Sequence, residues 1–155
     1  MRRMLRPLSA LCIGVAAAGL TACGGELIQQ EQCVDWVWFE TPLDAADDAH
    51  AVAIGRVTGQ AGTVSSYGET SNVWTFEVEE WVAGDGADVI EVVSLPRTCE
   101  TGSPYPDGDP LDTDADVMVF LRQQDADSAQ TITGLQGVIR GDGAAEVPDA
   151  WPDEP

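Results

Sequence analysis

The chain has no lysine, one histidine and seven arginines, against 27 carboxylates in 155 residues. So few cations exclude the phosphate contacts on which nucleic-acid binding depends, and they oppose adhesion to an anionic bilayer. His50 has no second histidine to share a zinc centre with, and no Gly-x-Ser-x-Gly run supplies a nucleophile elbow. The longest apolar run, Pro7–Leu20, has 14 residues, whereas a helix spanning a bilayer needs about 20. No internal repeat is present. These absences argue against an enzyme, a cofactor protein and an integral membrane protein together.

What is present begins at the N-terminus. Met1–Arg6 is a cationic stub, and the apolar run behind it completes the pattern of an export signal. Leu20-Thr21-Ala22-Cys23 then resembles the lipobox of bacterial lipoproteins. That resemblance implies a signal peptide over residues 1–22, a lipid on the Cys23 thiol, and a place on the extracytoplasmic face of the cell membrane. The alternative is a plain secreted protein with an incidental cysteine. Two acyl chains on one residue hold firmly where one binds marginally. Arg2-Arg3 leaves Sec and Tat export both open. All the carboxylates follow Cys23, so the mature chain sets four arginines against 27 acids, a formal charge of −23. This acidity is either a solubilising surface or a site for cations or a basic partner.

Residues 24–32, GGELIQQEQ, are polar and reach at most about 30 Å when extended; with Cys23 they read as a tether over 23–32. The domain is expected over 33–140. Thr41 is a good N-cap, with Pro42 at the first helical position and Asp44 three residues on, which predicts a short helix near 42–49. Strand one follows over 51–58, with Gly55 marking a bulge. A polar loop over 59–70 precedes the alternating run SNVWTFEVEEWVAG, a half-buried second strand in which adjacent Glu79 and Glu80 mark another bulge that turns Trp81 inward. Strands are also expected over 88–95, 116–122 and within 129–139, broken by Gly134 and Gly137. The acidic, proline-rich end, 141–155, reads as disordered. Short, evenly spaced strands with one small N-terminal helix predict a mostly β chain, an OB-like five-stranded barrel.

The order of elements resembles the netrin-like, OB-fold domain of the tissue inhibitors of metalloproteinases and their bacterial relatives. The matching features run from Cys33 to about Ile139: a cysteine ahead of a short helix, DDAHAVAIGRVTG, WTFEVEEWVAG, a strand ending near Cys99, and DVMVFL. WVWFETPLDAADDAHAVAIGRV and GLQGVI look more like uncharacterised exported proteins of high-GC Gram-positive bacteria. In the inhibitors the N-terminal cysteine chelates the target's zinc through its free amine. Cys33 cannot, because residues 23–32 precede it and its nitrogen is a peptide amide. The resemblance also implies a disulfide from Cys33 to Cys99, the two thiols left once Cys12 is removed and Cys23 is lipidated, outside the cytoplasm. The alternative is two free thiols.

Ligand signals are sparse. Asp107, Asp109, Asp112, Asp114 and Asp116 suit a calcium site by composition. Registered as an EF-hand loop from Asp112, however, Val117 takes the glycine position and Gln123 the bidentate glutamate position, so a solvated acidic loop is the competing reading. Trp36 and Trp38 share a face if extended and can stack on a sugar ring or fill the core. Trp36 is the better candidate for exposure. His50, at the helix-to-strand junction, and the neighbouring Glu79 and Glu80 read as surface groups. The sequence therefore points to a surface-anchored lipoprotein whose domain is a non-enzymatic binding module, with an envelope protein or a cell-envelope glycan as partner. A protease inhibitor or an enzyme of another type is the lesser alternative.

Overall fold

The structure, a computed structural model, describes residues 33–98, 103–125, 127–141 and 146–152. The signal segment, Cys23, the tether and Cys99 lie outside the described residues. Thr41 starts helix α1, Pro42–Asp48, through a capping box: its hydroxyl accepts from the Asp44 amide at 3.2 Å, and the Asp44 carboxylate accepts from the Thr41 amide at 3.0 Å. Pro42 and Ala45 face inward, Ala46 packs at their side, and Leu43 and the three aspartates face solvent, so α1 covers the sheet on one side only.

Six strands follow: β1 (Ala51–Ser66), β2 (Glu69–Ala83), β3 (Val89–Val93), β4 (Asp116–Gln123), β5 (Ser128–Thr131) and β6 (Val138–Arg140). The first five close a ring in the order β1-β2-β3-β5-β4-β1, as the OB-like reading requires, and β6 adds to β4. All neighbours are antiparallel except β3 and β5, which run parallel. Among the described residues no helix is long and apolar enough to cross a membrane.

Two apolar layers meet on β1 and β4. Ala51, Ala53, Val117, Val119 and Leu121 join Trp74, Phe76, Ile90, Val92 and Ala129 inside the ring. Their neighbours Val52, Ile54, Met118 and Phe120 face outward, against Phe39, Ala45, Ile132 and Ile139. Both faces of these strands are covered, which explains why AVAI and VMVFL are unbroken apolar runs, whereas one-sided β2 alternates. Each fully buried side chain of this size stabilises by about 1.5–3 kcal/mol.

The structure departs from the sequence-based expectations at three places. Residues 59–70 are not a loop: β1 continues to Ser66, and Tyr67 and Gly68, both at positive φ, make a two-residue hairpin turn into β2. Most of this arm's β1 side stands in solvent, so its sequence shows no apolar alternation. The fifth expected strand is two, β5 and β6. A side chain at Gly134 would fall on the Pro96 carbonyl, and one at Gly137 would come within 2.6 Å of Thr131. The tail is not unstructured over 146–152: Val147 and Trp151 pack on the outer layer, with Trp151 5.8 Å from Phe120 and its indole N–H donating to Phe39 O at 3.0 Å.

The expected bulges near Gly55 and Glu79 are one irregularity. Ile54 pairs with Glu80 and Gly55 with Val78, so Glu79 is the extra residue, and Trp81 packs against the interior layer as anticipated. Gly55 is needed because a Cβ there would fall on the Glu77 carbonyl oxygen.

Candidate functional site

Parallel pairing of β3 with β5 brings the β4–β5 turn beside β3, with Glu91 N–H donating to Asp127 O at 2.9 Å. The result is an open groove of about 630 Å³ lined by Thr75, Val89, Ile90, Glu91, Asp125, Asp127 and Ser128. In OB-folds, the face of strands 2 and 3 and the loop between strands 4 and 5 are where ligands bind. Here that face carries three carboxylates and no cation.

All four arginines of the described residues are engaged elsewhere. Arg56 donates to Asp116 at 2.8 Å and lies 3.7 Å from Glu79. The hydrogen bond and charge of Asp116, with Glu79 behind them, hold its guanidinium above its usual pKa. Arg97 pairs with Asp107 at 2.6 Å, and Arg122 pairs with Asp48. Arg140 donates to the carbonyls of Asp109 and Pro110 at 3.3 Å. The groove's negative potential is left without an internal counter-charge.

The five aspartates proposed for calcium are not brought together. Asp107 and Asp116 hold arginines, and Asp112 and Asp114 stand exposed. Asp109 is buried and turned inward: Oδ2 accepts from Asn72 Nδ2 (2.7 Å) and Trp74 Nε1 (2.9 Å), and Oδ1 from Ser94 Oγ (2.7 Å) and Leu111 N (2.9 Å). Four donors satisfy this carboxylate, so it staples the 103–115 loop to β2 and β3 rather than facing an ion. Tyr105 adds a second staple, donating to Ser94 O at 2.6 Å and accepting from Asn72 N at 3.0 Å. Burial raises its pKa above the usual tyrosine value. Among the described residues no three His, Cys, Asp or Glu side chains gather as a metal site.

The tryptophan expectation is reversed. Trp36 is half-buried, edge-on to Tyr67 at 5.2 Å, and its indole N–H finds no acceptor among the described residues. Trp38 is the exposed one, at 67%, beside Val37 at 60%. No two-indole platform forms. The extended backbone is held on both sides of Trp38, by Trp36 on the hairpin tip and by Phe39, whose N–H and C=O pair with the Gln136 side chain at 2.8 and 2.9 Å.

The chain matches no family model, no curated protein and no solved structure.

Other sequence candidates divide accordingly. His50 is exposed, and its side chain makes no hydrogen bond among the described residues. Cys33 is described and Cys99 is not, but their neighbours meet: Thr98 Oγ1 lies 2.7 Å from Val34 N and 2.9 Å from Val34 O. The groove was missed because Glu91, Asp125 and Asp127 form no local motif; Glu91 meets Asp127 only through the non-local parallel pairing of β3 with β5. The one usable signal was the fold resemblance, since it specifies which strands and loop form the binding face.

Proposed function

We propose that the chain is an extracytoplasmic lipoprotein, anchored through Cys23, whose β domain is a non-enzymatic binding module. The observation that carries this reading is the acidic groove across β2, β3 and the β4–β5 turn, where Glu91, Asp125 and Asp127 have no internal counter-charge. Such a face suits a cationic patch on an envelope protein and repels nucleic acid.

The test is crosslinking of the anchored protein in its own cells, followed by mass spectrometry, for the natural chain and for Glu91→Gln with Asp127→Asn. A recurrent protein partner lost in the double variant supports the groove. Capture of wall material alone sinks it.

A second reading, a glycan-binding module, is favoured by one observation: Trp38 is exposed beside Phe39, whose backbone is anchored by Gln136. It requires saccharides to quench indole fluorescence in the natural chain and not in Trp38→Ala.

A further inference from the structure

Up to Arg56, strand β1 is paired on both edges, with β2 on one side and β4 on the other. The pairing with β4 ends where Asp116 faces Arg56. From Val57 to Ser66 only the β2 edge is paired, and no described residue satisfies the other edge's backbone groups. An open edge is ordinarily guarded by charge, proline or a covering element. β2 follows that rule, since Glu79 and Glu80 sit on its own stretch beyond β3. Val57–Ser66, VTGQAGTVSS, has neither a charge nor a proline.

The extra residues Thr58 and Ala61 coil this strand, and from Gly62 to the turn its register is regular. Gly59 and Gly62 have open space where a side chain would stand, so a backbone can approach closely. Beside the edge lies a cleft of about 200 Å³ between Val57, Thr58 and Gly59 on one side and Asp112, Thr113 and Asp114 on the other. Asp112 and Asp114 are exposed and have no ion-pair partner among the described residues.

We infer that this edge accepts an extended, cationic segment of a partner polypeptide as an added β-strand, its lysine or arginine side chains reaching Asp112 and Asp114. Main-chain hydrogen bonds along Val57–Ser66 supply the affinity, and the two carboxylates select the charge of the guest. Charge also decides against a second copy as occupant, because two copies would bring Asp112 and Asp114 against their own kind. The inference is independent of the groove on β2 and β3.

Hydrogen exchange on the full-length chain tests it, with a short acetylated peptide of alternating lysine and valine as probe and its glutamate–valine counterpart as control. Exchange over 57–66 is expected to slow by about tenfold or more with the lysine peptide alone. Asp112→Asn with Asp114→Asn, both exposed, weakens that binding roughly tenfold at low salt, the size of two exposed ion pairs. Thr63 pairs with Asn72, whose own backbone groups turn away to Ser94 and Tyr105, so the Thr63 N–H faces the open edge. Thr63→Pro removes that donor while sparing the β2 ladder and abolishes the protection. Equal protection by both peptides, or none over 57–66, overturns the inference. Slowing confined to Thr75, Glu91 and Asp127 overturns it while leaving the groove standing. Protection that grows with protein concentration without peptide also overturns it, in favour of a second copy.

Discussion

Gln136 reads both backbone groups of Phe39: its Oε1 accepts from the Phe39 amide at 2.8 Å and its Nε2 donates to the Phe39 carbonyl at 2.9 Å. One side-chain amide thus stands in for a strand neighbour, 97 residues away in the chain. Gln136→Ala leaves the buried Phe39 amide without its acceptor, while the carbonyl keeps the Trp151 indole, at a cost of about 1–3 kcal/mol. Urea unfolding should show a lowered midpoint with an unchanged slope. Because Trp38 adjoins Phe39, its indole should also gain mobility, read as lower fluorescence anisotropy against a Trp38→Phe background.

Asp109→Asn keeps the shape of the side chain but turns one oxygen into a donor. Each Asp109 oxygen now accepts from two donors, so at least two donors lose their acceptor. The expected loss is about 2–4 kcal/mol. Millimolar calcium should leave the Tm of the natural chain unchanged, since Asp109 faces inward and Asp107 and Asp116 are held by arginines. A calcium-dependent rise in Tm would restore the metal reading.

The mutual approach of Val34 and Thr98 supports a disulfide between Cys33 and Cys99, which we propose on that ground. Alkylation of the unreduced protein should then leave both cysteines unlabelled in a peptide map. Cys33→Ser with Cys99→Ser should lower stability by roughly 4 kcal/mol on the loop-entropy account. Labelling of either thiol without reductant would sink the pairing.

Burial raises the Tyr105 pKa in the folded chain. Below the ordinary tyrosine value, near pH 10, both states hold the phenolic proton and the contribution is fully present. As pH rises, the unfolded chain releases that proton first and so binds fewer protons, and stability falls until pH passes the folded-state value. Tyr105→Phe should flatten this alkaline slope. It should also cost about 1–2 kcal/mol at neutral pH through the lost partners of Ser94 O and Asn72 N.

Local signals carried much of the architecture. The Thr41, Pro42 and Asp44 triplet placed α1 within a residue, because an N-cap acts over three residues. The apolar runs placed the cores of β1, β3 and β4. The free arm of β1 was illegible, since alternation appears only where one face is buried and this arm is exposed on most of its length. Trp36 and Trp38 share an extended pattern, yet a turn at Tyr67 that is distant in sequence decided which one stays in solvent. The acidic run from Asp107 to Asp116 looked like one cluster because spacing alone cannot tell which carboxylates an arginine or a buried donor set will claim.

Composition by itself determined the charge of this protein, the absence of cations for nucleic acid, the short capped helix and the mostly β character, because each depends on residue type or on neighbours a few positions apart. The parallel pairing of β3 with β5, the groove it creates, the inward turn of Asp109 and the unpaired edge of β1 were decided only by the tertiary structure. All of them depend on which distant backbone groups find partners when the ring closes, and hydrogen bonds of that kind leave no periodic trace in the chain.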